Sequence, residues 1–228
     1  MGIQFEERRY RLTGITPILG SQPANPELRT RFIASKAPDP ALGDEENAML
    51  PEDIEGKGLT VFLQRDRDNA LCLMDYMIVG YFKEALNRLK SQLNIPRAKS
   101  KVEAYVFVEP REIPILRNGE IITDCDSVLE RPLRAQTMQG PRVTLAASEQ
   151  IDDPWTIEFT VKLIGNPGTK TSAPITWEGI ETALDYGSIC GALGQWRNGG
   201  YGRFRWERVD SIKNAPAVDG TDGAQQRG

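Results

Sequence analysis

The sequence contains no histidine. Mechanisms that need an imidazole base, from Ser-His-Asp triads to His-ligated zinc, are therefore excluded. Cysteine is scarce: Cys72, Cys125 and Cys190 stand far apart, odd in number and without a C-x-x-C pair. Such usage argues against a disulfide framework or a thiolate zinc site and fits a reducing cytoplasm. No apolar run approaches the ~18 residues needed to cross a bilayer, and the opening MGIQFEERRYRL has no apolar signal segment. The expectation is a cytoplasmic protein without membrane contact. Walker A and dinucleotide fingerprints are missing as well, and no cofactor is expected.

What is present is enough for a core: 228 residues, 39% apolar and 26% charged. The net charge of −4 is unevenly spread. Residues 39–55 hold Asp39, Asp44, Glu45, Glu46, Glu52, Asp53 and Glu55 and no base, so the chain without these seven acids carries +3. From Lys83 to Arg117 eight bases face four acids, and from Gln195 to Arg208 four arginines face Glu207 alone. An acidic block beside basic stretches permits a polyanionic partner, provided the block lies away from that partner's path.

Hydrophobic periodicity divides the chain. A first strand is read over 3–12, then a break at ITPILG, then an irregular Pro-, Gly- and acid-rich insertion over 20–58. LTVFL (59–63) is β-rich and DRDN (66–69) is a turn. Ile78, Tyr81, Phe82, Ala85, Leu86, Leu89 and Leu93 recur at helical spacing, predicting a helix over 75–93 with Asp75 as N-cap and Pro96 as its stop. VEAYVFV (102–108) reads as a strand, and Asn118-Gly119 as a hairpin turn within an otherwise non-repetitive 110–150. WTIEFTVKL (155–163) alternates cleanly, which implies a sheet with one covered face. A second helix is expected over 177–186, with Thr176 as N-cap, Ile175 and Ile180 as a staple and Gly187 as its stop. The last strand is 202–209. Without its insertions (about 20–70 and 110–150) the order is βαββαβ, an α+β ferredoxin-like core in one domain over 1–213 with a disordered tail at 214–228.

Between the second helix and the last strand lies GSICGALGQWRNGGYGRFRWE, with six glycines in the sixteen residues 187–202. That density leaves backbone N–H groups uncovered and permits positive φ, as suits a loop lying against phosphates. Arg197, Arg203 and Arg205 can pair with phosphate, and Trp196 and Tyr201 can stack on bases. Phe204 and Trp206 share the buried face of the last strand, with Arg203 and Arg205 on the other. A second basic, amide-rich segment, RPLRAQTMQGPR (131–142), offers Arg131, Arg134 and Arg142 for single-strand contacts; an ordered polar hairpin or a subunit contact is the competing reading.

The segment ALGQWRNGGYGRF resembles the C-terminal glycine-rich loop of the RAMP superfamily, the CRISPR-associated RNA-binding proteins of antiviral defence. Gly194, Arg197, Gly200, Tyr201 and Gly202 occupy the matching positions, with Gly199 between them. The resemblance implies RNA binding along this loop, head-to-tail oligomers or complex subunits, and insertions that act as thumb-like arms. RNA and single-stranded DNA both stay open as ligands. So does a different class of function, a phage or plasmid protein–protein assembly module working through its acidic insertion.

Catalytic readings are weaker. Asp66-x-Asp68 lacks the glycine and glutamate of a calcium loop and reads as a turn. Asp124 and Asp126 are the only candidates for a metal-dependent nuclease, and no metal site is expected. Cys190 reads as a small buried hydrophobe.

Overall fold

The computed structural model describes residues 4–24, 58–137, 140–165, 173–190 and 193–209, with backbone alone over 133–137 and 140–144. The acidic block at 39–55 and the tail at 214–228 lie outside the described residues. The chain runs through β1 (Phe5–Gly14), β2 (Ile18–Leu19), β3 (Gln22–Pro23), β4 (Gly58–Val61), β5 (Leu63–Gln64) and β6 (Leu71–Met74) into helices α1 (Asp75–Leu89) and α2 (Ala98–Tyr105). There follow β7 (Val106–Glu109), β8 (Glu112–Pro114), β9 (Leu116–Arg117), β10 (Glu120–Ile121), β11 (Ser127–Thr137), β12 (Gly140–Ile151) and β13 (Thr156–Ile164). Helix α3 (Trp177–Ile189) and β14 (Phe204–Val209) complete a mixed α+β fold.

The central sheet is antiparallel. β1 lies between β13 and β14, and β13 also pairs β7, giving the order β14-β1-β13-β7. The alternation in WTIEFTVKL is realised: Ile157, Phe159, Val161 and Leu163 are buried, and Trp155 just before the strand is fully enclosed. Cross-strand register aligns Tyr10 with Phe159 and Leu12 with Ile157 and Trp206 on one face. Onto that face pack Ile78, Tyr81, Phe82, Ala85 and Leu86 of α1 and Ile180, Ala183 and Leu184 of α3. The opposite face is charged and internally neutralised. Glu158 accepts from Arg9 and Arg11, Arg11 also bridges Glu207, and Lys162 bridges Glu109.

Several expectations are corrected by packing. Helix α1 ends at Leu89 rather than at 93, and Met74 is its cap; Asp75 is already helical and accepts from Tyr76 N and Arg111. Residues 98–105, which include the first four residues of the expected strand VEAYVFV, form α2, because Ala98 and Val102 bury one stripe at i, i+4 spacing. Thr176 does cap α3, its hydroxyl accepting from Gly179 N at 3.2 Å, but the helix runs on to Ile189. Gly187 is not its stop. It lies inside the helix where a Cβ would sit 2.3 Å from the Phe204 ring, so the absent side chain is what lets α3 settle on β14.

The largest correction concerns 110–150. Asn118-Gly119 makes the expected tight turn, both residues at positive φ, between β9 and β10. The remainder is no irregular stretch: β11 and β12 pair antiparallel along their whole length, from Ser127↔Gln150 to Thr137↔Gly140. The base of this hairpin joins a second sheet through β4 and β2. Among the described residues no helix is long and apolar enough to cross a membrane.

Candidate nucleic-acid interface

The glycine-rich loop is built onto the strip that follows β1. Trp155 Nε1 donates to Thr16 O (2.9 Å), fixing the chain just after β1 ends at Gly14. Gly202 N then donates to Pro17 O (2.8 Å), Gln195 N to Leu19 O (3.2 Å), and Arg203 N to the Thr16 hydroxyl (2.9 Å), which itself donates to Gly200 O. Gly194 and Gly202 stand at φ +74° and +71°, and a Cβ at Gly202 would lie 1.9 Å from Leu193 O. Only glycine fits both the backbone conformation and this approach. Much of the loop's amide supply is therefore consumed by the protein. Gly199 N and Gly200 N are likewise closed onto Trp196 O and Arg197 O.

The same strip holds the long hairpin. Ile18 and Leu19 form β2, which pairs with Ile151 and Gln150 of β12. Two segments about sixty residues apart in sequence, the basic hairpin and the glycine-rich loop, thus meet on either side of two apolar residues. At this junction Trp196 and Tyr201 stack, ring centroids 5.2 Å apart and planes 20° from parallel, and the Arg131 guanidinium lies 5.0 Å from the centre of the Trp196 ring. Gly199 lies against that ring, where a Cβ would be 2.7 Å away. Trp196 keeps 42% of its surface exposed.

Arg131 is the unusual member. It is only 8% exposed, and neither Nε nor Nη1 has an acceptor. Burial pulls its guanidinium below the ordinary arginine range. Leaving buried guanidinium donors unsatisfied costs on the order of several kcal/mol, of which a cation–π contact returns about 1–2 kcal/mol. Among the described residues, two of its donors are left to be satisfied.

The other expected site residues have different employment. Arg197 pairs with Glu84 of α1, which also accepts both Nε and Nη2 of Arg88; although burial opposes its ionisation, the two arginines hold Glu84 below the usual carboxylate range. Arg203 does not join Arg205 on the outer face. Its Nε and Nη2 donate to Ser188 O at 3.0 and 2.8 Å, satisfying a carbonyl at the end of α3. Arg205 is exposed, Phe204 is buried and Trp206 donates to Asp185 from the helix side. Arg134 and Arg142 lie farther out on the hairpin, at register positions opposite Val143 and Ala135. A cavity of about 340 Å³ opens behind the loop, lined by Tyr81, Glu84, Arg88, Tyr186, Cys190 and Arg197 among others; Cys190 is half-buried there rather than enclosed.

Asp126 is tied to Arg117 by two hydrogen bonds (2.9 and 2.6 Å) and accepts from Asp152 N, and the guanidinium holds its carboxyl below the usual range. Asp124 accepts from Thr123. Among the described residues no three His, Cys, Asp or Glu side chains converge as a metal site. Asp68 closes its turn by a bidentate pair with Arg65.

Sequence reading names Arg131, Trp196 and Tyr201 but does not bring them together. Glu84 as the partner of Arg197, and Pro17–Leu19 as the docking strip, are missed; the only trace of the strip is the Ile-Leu pair held between Pro17 and Gly20. No protein-family model matches the chain, and no curated protein matches it either.

Proposed function

We propose that the chain is a non-catalytic binder of single-stranded nucleic acid, RNA by preference, engaging its ligand where the β11–β12 hairpin meets the glycine-rich loop. The observation that carries this reading is the junction itself: a buried guanidinium with two unsatisfied nitrogens beside two stacked, partly exposed aromatic rings. Single strands are held by that combination of cation and stacking platform. The sheet order β14-β1-β13-β7, with α1 and α3 on one face, supports a ferredoxin-like core like that of the RAMP proteins. The preference for RNA rests on that resemblance. The engagement of Asp126 by Arg117 supports a role without metal-assisted cleavage.

A second reading, self-association into oligomers, is favoured by the hairpin's other face, where Pro132 and Leu145 are paired across the strands and exposed, with Glu130 beside them. The two readings are compatible in an assembly along a strand.

Fluorescence anisotropy with single-stranded oligonucleotides of about 15 residues, RNA and DNA, over roughly 50–200 mM salt tests the first reading. The expected result is saturable binding, tighter for RNA, with log K falling against log salt by about 0.7 for each phosphate contact. Absence of binding to both oligonucleotides at the lowest salt would sink it.

A further inference from the structure

The junction at Arg131 has the makings of more than a basic surface. Arg131 stands on β11 opposite Ala146, in the part of the hairpin that is anchored to β4 through Ala146↔Gly58. It is therefore held by a sheet and does not hang from a mobile arm. Its two unsatisfied nitrogens are enclosed, and no carboxylate among the described residues reaches them. Tyr201 and Trp196 are contributed by a different segment, whose own position is fixed by the hydrogen bonds to Pro17 and Leu19. A cation and an aromatic platform are thus each set by independent scaffolding and brought within 5.0 Å of one another. The cation calls for a multivalent oxygen anion, and the platform for a flat ring covalently joined to it.

We propose that Arg131, Trp196 and Tyr201 form a socket for one nucleoside phosphate unit: Arg131 binds the phosphate, and the base stacks on the Trp196–Tyr201 pair. This rests on the nucleic-acid reading and narrows it, since the remaining loop arginines are engaged elsewhere, Arg197 with Glu84 and Arg203 with Ser188 O. The shared chemistry is that of a free nucleoside monophosphate and of a nucleotide within a strand. In either case the occupied socket supplies acceptors for the two nitrogens that find none among the described residues.

Calorimetric titration with adenosine 5′-monophosphate, adenosine and inorganic phosphate is the test, alongside an oligo-uridylate and thermal melts of each variant. The monophosphate should bind one per chain, and adenosine and phosphate at least about tenfold more weakly, because each engages only one of the two parts. Arg131→Met should abolish monophosphate binding and weaken the oligonucleotide about tenfold or more, while melting at or above the wild-type temperature, since it removes an uncompensated buried charge. Trp196→Ala should weaken the monophosphate and leave inorganic phosphate unaffected. If Arg131→Met melts well below wild type, the guanidinium is a structural group and the socket is overturned. Monophosphate that fails to bind, or binds Arg131→Met equally well, overturns the socket too. Retained oligonucleotide binding in those cases leaves the broader reading standing, whereas loss of all binding by the wild type removes both.

Discussion

Arginines of one charge meet three fates in this molecule, and the difference is their surroundings. On the sheet's outer face Arg9 and Arg11 share Glu158, exposed pairs that contribute roughly 0–1 kcal/mol each. Arg203 satisfies a helix-end carbonyl, and Arg197 is held by α1. Arg131 alone among these is buried with unsatisfied donors. The RAMP-like spacing of the loop leads one to expect Arg197 and Arg203 at the phosphates, but both are engaged within the protein. Arg197→Ala combined with Arg203→Ala should therefore leave the salt slope of oligonucleotide binding unchanged, since no phosphate contact is lost. It should lower stability in urea by about 1–3 kcal/mol, because Glu84 loses a partner and Ser188 O is left unsatisfied. A slope shallower by about 1.4, the value for two lost contacts, would return both arginines to the interface.

Elements were legible where one face is buried and one is wet. β13, α1 and α3 announce themselves by alternation or by helical spacing, and Thr176 is a cap because its hydroxyl accepts from Gly179 N. The β11–β12 hairpin does not, since its strands mix charges, Pro132 and small residues without a consistent period. Helix α2 is hidden for another reason: Val102 and Tyr105 favour a strand locally, yet the space beside β7 and β13 is filled by the Ala98–Val102 stripe of a helix. The exposed Pro132–Leu145 pair of the hairpin bears on assembly. Leu145, 52% exposed on a strand otherwise anchored at its base, is the natural probe. Leu145→Glu should shift the chain toward monomer in light scattering after size exclusion, with its melting temperature nearly unchanged, as surface substitutions usually stay within about 0.5 kcal/mol. An unaltered mass distribution in an oligomeric wild type would dismiss this face as the contact.

At the scale of the whole molecule, the loop, the strip and the hairpin act as one unit because they share backbone hydrogen bonds. Gly202 is the keystone: its amide bonds Pro17 O, and its Cα lies where a side chain would strike Leu193 O. Gly202→Ala should cost about 2 kcal/mol or more and reduce nucleic-acid binding together with stability. Gly200→Ala, also at positive φ but with open space around it, should cost only about 1 kcal/mol and preserve binding. Thermal melts and anisotropy on the two variants check the contrast, and equal effects would show that the Pro17 anchorage does not organise the site.

The sequence by itself determined the first and last strands and β13 of the central sheet, the faces that β13 and β14 bury, the cap of α3 and the segments rich in cations and aromatics. Those follow from local periodicity and residue chemistry, which every short window of the chain carries. It named Gly194, Trp196, Arg197, Gly199, Gly200, Tyr201, Gly202 and Arg203 in the loop and Arg131, Arg134 and Arg142 in a second segment. Only the tertiary structure decided which of them meet. Partner choice among arginines depends on which carboxylates and carbonyls are brought near, as Glu84 is to Arg197 across 113 positions. The docking of the loop depends on two strand residues, Ile18 and Leu19, too few to leave a period. Long-range pairing, absent from any window of the sequence, left Arg131 beside Trp196 with two of its nitrogens unsatisfied.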